Sequence, residues 1–222
     1  MTSALTLSRR AARRLAPATL LLLAACATTD TAAPADPQDA FWAALSSHCG
    51  KAYAGRMVTA DAADADLAGR PMVMTVRDCS AASIAVPFHV QRADGSWDRS
   101  RTWLVTRNAA GGLRLKHDHR HEDGAADAVT MYGGDTATRG TARAQSFAVD
   151  ADSIASFTRA GLTASVTNVW TIAVDPAGTA GGTYAYELRR TVAGGAPAER
   201  HFRVEFDLTR PIAPPPPAWG WE

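Results

Sequence analysis

Short segments in which apolar and polar residues alternate make up most of the chain after residue 70. These segments are rich in Val, Thr, Tyr, Phe and Trp, which is typical of half-buried β-strands. Clusters of turn-forming residues separate them, for example at 108–112 and 178–182. We predict strands at 72–78, 83–90, 101–107, 113–121, 128–132, 164–174, 183–191 and 201–209.

Eight or more strands with little helix between them predict one antiparallel sheet system. The predicted fold class is therefore mainly β, with a single domain at 37–212 that is either barrel-like (calycin-like) or a sandwich. The alternating pattern does not choose between these two. A chain of this length suffices for one hydrophobic core, and the sequence shows no second composition and no internal repeat.

One N-terminal helix and one short inserted helix complete the predicted domain. Asp36-Pro37 supplies a capping side chain and a proline for the first turn of the first helix. We predict that this helix continues to Gly55, because apolar residues recur at four-residue spacing. These residues are Phe41, Leu45, Cys49 and Tyr53. The inserted helix is predicted near 152–160, where Gly161 ends it.

The first 25 residues have the form of an export signal. Four arginines and no acidic residue precede an apolar run at 15–25 that is too short to span a bilayer. The residues from Leu23 to Cys26 resemble the bacterial lipobox, in which the cysteine becomes the lipidated first residue of the mature chain. We therefore predict a lipoprotein signal peptide at 1–25, lipidation of Cys26, and a small polar tether at 26–36.

The expected location is the bacterial cell envelope, with the protein anchored by its lipid on the periplasmic face of a membrane, and we favour the outer membrane. Cys49 and Cys79 then remain as an even pair in an oxidising compartment. We predict a disulfide between them, which would contribute roughly 3 to 4 kcal/mol by closing a loop of about 30 residues. Two buried free thiols are the alternative.

The charge balance argues against a nucleic-acid partner. The chain has 23 basic and 22 acidic residues, and loss of the four signal arginines leaves 19 basic residues. Affinity for nucleic acid depends on clustered Lys and Arg that replace counterions. We expect the membrane to be contacted through the lipid instead.

The segment 113–124, LRLKHDHRHEDG, holds three of the six histidines. On a strand, successive side chains point to opposite faces. The odd face is Leu113, Leu115, His117, His119 and His121, and the even face is Arg114, Lys116, Asp118, Arg120 and Glu122. We expect the charged even face to meet solvent, and the odd face to run from the core toward an open end or a cavity.

A metal is one interpretation of this row. Alternate residues on a strand are about 6.5 to 7 Å apart, so two imidazoles can reach one ion, whereas three would be strained. On this interpretation the ligands would be a pair from His117, His119 and His121, joined by Asp127 after a short turn. Such a set suits a divalent transition metal such as zinc, and also iron or copper. We favour the other interpretation, in which the histidines form a hydrogen-bonded polar layer or a solvent-exposed strand end.

The other histidines offer no third ligand. His89 and His201 lie on the faces of their strands opposite to the apolar residues, and His48 on the first helix cannot be placed. Three polar residues stand at the same alternate positions as the apolar residues of their segments, so we expect them to face inward. They are Asn168, Tyr184 and Tyr186, and they are candidates to line a small-molecule cavity. Their alternative role is that of satisfied polar residues in the core.

The tail at 213–222 contains four consecutive prolines followed by Ala-Trp-Gly-Trp. The prolines impose an extended, stiff conformation. We expect the tryptophans Trp219 and Trp221 to dock back on the barrel, because exposed tryptophans favour aggregation. A partner-binding tail is the alternative.

Several blocks resemble one family of uncharacterised bacterial exported proteins and lipoproteins. The blocks are FWAALSSHCGKAYAGRMV, RSRTW, LRLKHDHRHEDG with VTMYGGDT, VEFDLTRPI and AWGW, and they cover nearly the whole mature chain. The resemblance implies that these blocks belong to one domain. It transfers no catalytic residue, because the family carries no assigned activity.

The sequence favours a non-enzymatic module that binds a small ligand or a metal near the histidine row. A metal-dependent enzyme that uses the same histidines is the first alternative, and a structural envelope protein that acts through its tail is the second. No serine stands in a Gly-x-Ser-x-Gly elbow, which argues against a serine hydrolase of that class.

Overall fold

The structure, a computed structural model, describes residues 1, 2 and 35–222. The predicted lipidation site Cys26, nearly all of the signal peptide at 1–25 and most of the tether at 26–36 lie outside the described residues. Residues 35–222 form one compact unit. In this unit no helix combines the length and the apolar character needed to cross a membrane.

Residues 35–222 contain ten strands, two α-helices and two short 3-10 helices. The strands are β1 (Ala52–Met57), β2 (Met72–Thr75), β3 (Ser83–Gln91), β4 (Trp97–Arg107), β5 (Leu113–His119), β6 (Tyr132–Thr136), β7 (Ala144–Val149), β8 (Val169–Val174), β9 (Thr183–Arg190) and β10 (Arg200–Ile212). The helices are α1 (Pro37–Ser46) and α2 (Ala151–Arg159), and the 3-10 helices are Ala62–Leu67 and Thr163–Thr167.

The sheet is a closed antiparallel barrel, so the barrel alternative is confirmed and the sandwich is not. Strands β2 to β10 follow one another around the barrel in chain order, and β1 pairs with both β10 and β2. The closure leaves none of these strands with an unpaired edge, which removes the main aggregation hazard of a β-sheet.

The first helix is shorter than predicted. It ends at Ser46, and Tyr53 lies in β1. Gly50 adopts a left-handed conformation (φ +80°), and its amide donates to the carbonyl of Val76. The four-residue spacing of apolar residues continues past Ser46 although the helix ends there. It continues because α1 and β1 both bury residues in the same core.

Other predicted boundaries also differ from the structure. The segment predicted as a strand from 164 begins as a 3-10 helix, and β7 was not predicted at all. The strand predicted at 128–132 lies instead at Tyr132–Thr136, with Gly133 and Gly134 inside it. A Cβ at Gly133 would lie 1.9 Å from the carbonyl oxygen of Leu115, and one at Gly134 would lie 1.6 Å from that of Ala148. These glycines permit close strand approach and do not form a turn.

The two ends of the barrel differ. Helix α1 closes one end with Phe41 and Leu45, both fully buried, and Gln38 donates hydrogen bonds to Thr136 and toward Gln145. The longest connections lie at the opposite end. They are 58–71 between β1 and β2, 120–131 between β5 and β6, and 150–168 between β7 and β8. We call this second end the open end, and long connections of this kind often carry function.

The disulfide between Cys49 and Cys79 is confirmed. It joins the turn after α1 to the connection between β2 and β3, with a sequence separation of 30 and a Cα–Cα distance of 6.2 Å. The bond therefore ties the closing helix to the wall of the barrel.

The C-terminal tail is docked on the outside of the barrel. Trp219 is 5% exposed, and its amide donates to the carbonyl of Arg99. The guanidinium groups of Arg92 and Arg99 lie 5.2 and 6.0 Å from the centre of its ring. The Nε1 of Trp221 donates to Asp118 at 2.9 Å. The tail thus belongs to the folded domain.

This docking corrects the expectation for two outward-facing residues. Asp118 on the even face of β5 is buried (3% exposed) and does not meet solvent, because Trp221 and Arg120 donate to it. His89 does lie on the outer face, but it is 2% exposed because the prolines at 214–217 cover it. Alternation along a strand gives the direction of a side chain. It cannot show which segment from farther along the chain packs over that side chain.

Replacement of Trp219 by alanine should lower the free energy of unfolding by about 3 kcal/mol or more, since a buried tryptophan and two cation–π contacts are lost. Urea denaturation measures this. The control is Val192→Ala, which truncates an apolar side chain that is 57% exposed and should change stability by less than about 0.5 kcal/mol. Equal stability of Trp219→Ala and the parent protein would contradict the docked arrangement.

Candidate functional site

Two adjoining cavities of about 270 and 380 Å³ lie at the open end of the barrel. They share five wall residues, so we describe them together as the open-end cavity. The shared residues are His119, Tyr132, Tyr186, Leu188 and Arg200. Each volume is of the order expected for a small-molecule site.

Stacked rings form the floor of the open-end cavity. Trp103 on β4 stacks on Tyr186 of β9 with ring centres 4.2 Å apart, and on Phe88 of β3 at 4.8 Å. His117 on β5 stacks on Tyr132 of β6 at 4.6 Å. Because these rings come from five strands, they fill the barrel from wall to wall and separate the cavity from the core below.

His117 is held as a neutral ring by its two partners. Its Nδ1 lies 3.0 Å from the carbonyl oxygen of Tyr132, which can only accept, so Nδ1 carries the proton. Its Nε2 lies 2.7 Å from the hydroxyl of Tyr186 and accepts from it. Burial lowers the pKa of His117 to about 3, and the hydrogen bond to Tyr132 opposes this only in part. Both nitrogens are thus engaged, and neither is available to a metal.

The other members of the predicted metal set do not converge. His119 is half-buried, with Nε2 3.2 Å from the hydroxyl of Tyr132. His121 lies beyond the end of β5 and is exposed, with Nε2 3.7 Å from Asp127 Oδ2. Within residues 1, 2 and 35–222 no group of three or more His, Cys, Asp or Glu side chains is placed to hold a metal ion. The arrangement of His117 and His119 is that of a hydrogen-bonded polar layer.

His48 and His201 have structural contacts, whereas both ring nitrogens of the buried His89 have no hydrogen-bond partner among the described residues. Both ring nitrogens of His48 lie 2.8 Å from a partner, the hydroxyl of Tyr53 and the carbonyl oxygen of Asp175. His201 lies on the outer face, where Nε2 is 3.2 Å from Glu187. Neither residue lines the open-end cavity.

Two of the three predicted cavity residues line the open-end cavity. Tyr186 lies in the wall of both parts, and Asn168 lies in the wall of the larger part. Asn168 is 5% exposed, and within the described part of the chain its Oδ1 has no hydrogen-bond partner. Tyr184 lies deeper, in the core beneath Trp103, and does not reach the cavity.

Sequence reasoning missed three arginines in the cavity wall, which are Arg101, Arg190 and Arg200. The sequence contained a signal for them, because each arginine stands at the same alternate positions as the inward-facing apolar residues of its strand. Arg190 follows Tyr186 and Leu188 at alternate positions, and Arg200 precedes Phe202 in the same way. An arginine at the inward position of a strand end faces the mouth of the barrel.

The three arginines differ in their counterions. Arg200 contacts the buried Asp64 at 2.5 Å, and Arg101 contacts Asp98 at 2.7 Å. Arg190 makes no ion pair with any described residue, and its Nε is buried without a hydrogen-bond partner there. Burial, followed by the charge of Arg200, lowers the pKa of Arg190 below its usual value, although arginine stays protonated in proteins.

Comparison of the chain with protein-family models, with curated proteins and with solved structures finds no match. The function must therefore be inferred from the chemistry of the cavity.

The buried His117 predicts that the protein loses stability as the pH falls. In the unfolded chain a histidine binds its proton near pH 6.5, whereas in the fold His117 stays neutral down to about pH 3. Between these values the unfolded state binds more protons, so this contribution is complete above pH 6.5 and is lost on acidification, by about 1.4 kcal/mol per pH unit. Urea unfolding at pH 7, 6 and 5 should show a smaller slope for His117→Gln; parallel slopes would contradict a neutral buried ring.

The geometry also predicts that the histidine strand does not bind zinc. A ligand that binds only the folded state raises the melting temperature. We expect zinc or EDTA to leave the melting temperature unchanged, both in the parent protein and in the double variant His119→Ala/His121→Ala. A zinc-dependent rise that the double variant lacks would restore the metal hypothesis.

Proposed function

We propose that this protein is a lipid-anchored cell-envelope protein whose barrel binds a small organic molecule in the open-end cavity without catalysing a reaction on it. The observation that carries the proposal is the asymmetry of the barrel. One end is closed by α1 and a packed core, whereas the other holds a cavity above a floor of stacked rings. A concave, largely apolar site with a few convergent polar groups is typical of ligand binding.

Two features of the sequence support the envelope location. The export signal and lipobox at 1–26 are the first, and the resemblance to a family of bacterial exported proteins and lipoproteins is the second. The disulfide is of the kind that persists in an oxidising compartment.

The protonation states in the cavity support binding rather than acid–base catalysis. Burial lowers the pKa of His119 to about 4, and burial raises the pKa of Tyr132 to about 12. A general acid or base works best when its pKa lies near the working pH. Near pH 7 both groups are neutral, so they serve as fixed hydrogen-bonding partners for a bound molecule.

A neutral fluorescent probe tests this proposal. We expect N-phenyl-1-naphthylamine to bind with an increase in fluorescence, and Leu188→Trp to abolish the increase, because Leu188 lies in both parts of the cavity wall and a larger side chain fills them. The control, Val192→Trp, adds the same bulk at an exposed position and should bind like the parent protein.

Far-UV circular dichroism and urea midpoints verify that both variants are folded. Binding that is absent from the parent protein, or that survives in a folded Leu188→Trp variant, would refute the cavity as the binding site.

A further inference from the structure

We infer that the molecule bound in the open-end cavity carries a negatively charged group, a carboxylate or a similar small oxyanion, and that Arg190 binds that group. The inference rests on the proposed function, since it names the class of ligand for the same cavity.

Two arginines face each other at the mouth of the barrel. Arg190 and Arg200 are direct partners in the register between β9 and β10, and both line the larger part of the cavity. Like charges placed directly opposite on neighbouring strands destabilise a sheet. A bound anion between them would turn this repulsion into attraction.

The acids near this pair accept hydrogen bonds from groups other than Arg190, and Asp64 Oδ2 has no partner among the described residues. Asp64 Oδ1 accepts from Arg200, and Asp61 accepts from the backbone amides of Ala63 and His201. At the opposite wall, Asp127 Oδ1 accepts from the amide of Val129. Asp61 and Asp64 offset part of the charge of Arg190, but Arg190 makes no direct ion pair with a described acid and lies in the wall of the cavity. A guanidinium group binds planar oxyanions in a two-pronged geometry.

A buried amide provides a second, independent sign of a missing ligand. The Oδ1 of Asn168 is enclosed in the wall of the same part of the cavity, and the described residues offer it no donor. A buried polar atom without a partner costs free energy. A ligand with an N–H or O–H group beside its anionic group would supply the donor.

The rest of the cavity wall is suited to contact the apolar part of a ligand. Phe157, Trp170 and Leu188 line the larger part of the cavity, and Leu162, which is 43% exposed, lies at its rim. The ligand class is therefore an amphipathic anion, such as an aliphatic or aromatic carboxylate, with its charged group at Arg190 and its apolar part against these side chains.

Two probes that differ by one charged group test the inference. 1-Anilinonaphthalene-8-sulfonate has the same ring system as N-phenyl-1-naphthylamine and adds one sulfonate. We expect the parent protein to bind the sulfonate at least about tenfold more tightly than the neutral probe, because a charge-assisted hydrogen bond is stronger than a neutral one. We also expect decanoate to displace the sulfonate at lower concentration than 1-decanol does.

Arg190→Gln should weaken binding of the sulfonate about tenfold and leave binding of the neutral probe unchanged. The matched control is Arg189→Gln, which removes the same charge from the neighbouring position, where Arg189 contacts Glu187 on the outer face. It should change neither affinity. Urea midpoints of both variants verify that they are folded.

The outcomes separate this inference from the proposed function. If the neutral probe binds but the sulfonate binds no more tightly, or if Arg190→Gln binds both probes as the parent protein does, the anion site is refuted and the cavity stands. If neither probe binds, both the proposed function and the inference are refuted.

Discussion

The closure of the barrel by β1, which pairs with β10 on one side and β2 on the other, is the constraint on which the rest of the structure depends. Closure of about eight strands gives an interior that side chains can just fill, and the interior widens as strands are added. The ten described strands therefore enclose more space than their own side chains occupy. Helix α1 and the large aromatic residues fill one part of that space, and the remainder is the open-end cavity.

The layer formed by His117 and its hydrogen-bond partners marks the boundary between the filled part of the barrel interior and the open-end cavity. Its two hydrogen bonds, to the carbonyl of Tyr132 and the hydroxyl of Tyr186, link β5 to strands on both sides of the interior. Above this layer the inward residues change from apolar to His119, Asn168 and the arginines of β9 and β10. Six described residues have a buried side-chain atom without a hydrogen-bond partner, and four of them line this end: Asp64, Asn168, Arg190 and Arg200. A ligand would lie there.

Much of the fold can be predicted from the sequence, because strand alternation and turn residues are local signals. The mainly β class, the inserted helix and the disulfide are confirmed. The strand predicted at 128–132 was misplaced, because close contact with neighbouring strands, a non-local property, requires Gly133 and Gly134 inside it. Burial of Asp118 depends on a tail more than 90 residues later. Whether Arg190 has an ion-pair partner depends on which groups the acids of other elements contact. Alternation along a strand assigns such residues to a face of the sheet, whereas only the assembled barrel shows their partners.

The central claim is that side chains leave part of the barrel interior unfilled and that this space binds an anion. A crystal structure of the protein with bound 1-anilinonaphthalene-8-sulfonate would test this claim most directly. We predict density for the probe above the ring of Tyr186, with the sulfonate within hydrogen-bonding distance of the Arg190 guanidinium and the aromatic rings against Trp170 and Leu188. Density at another surface, or a probe in the cavity with its sulfonate turned away from Arg190 into solvent, would contradict the account.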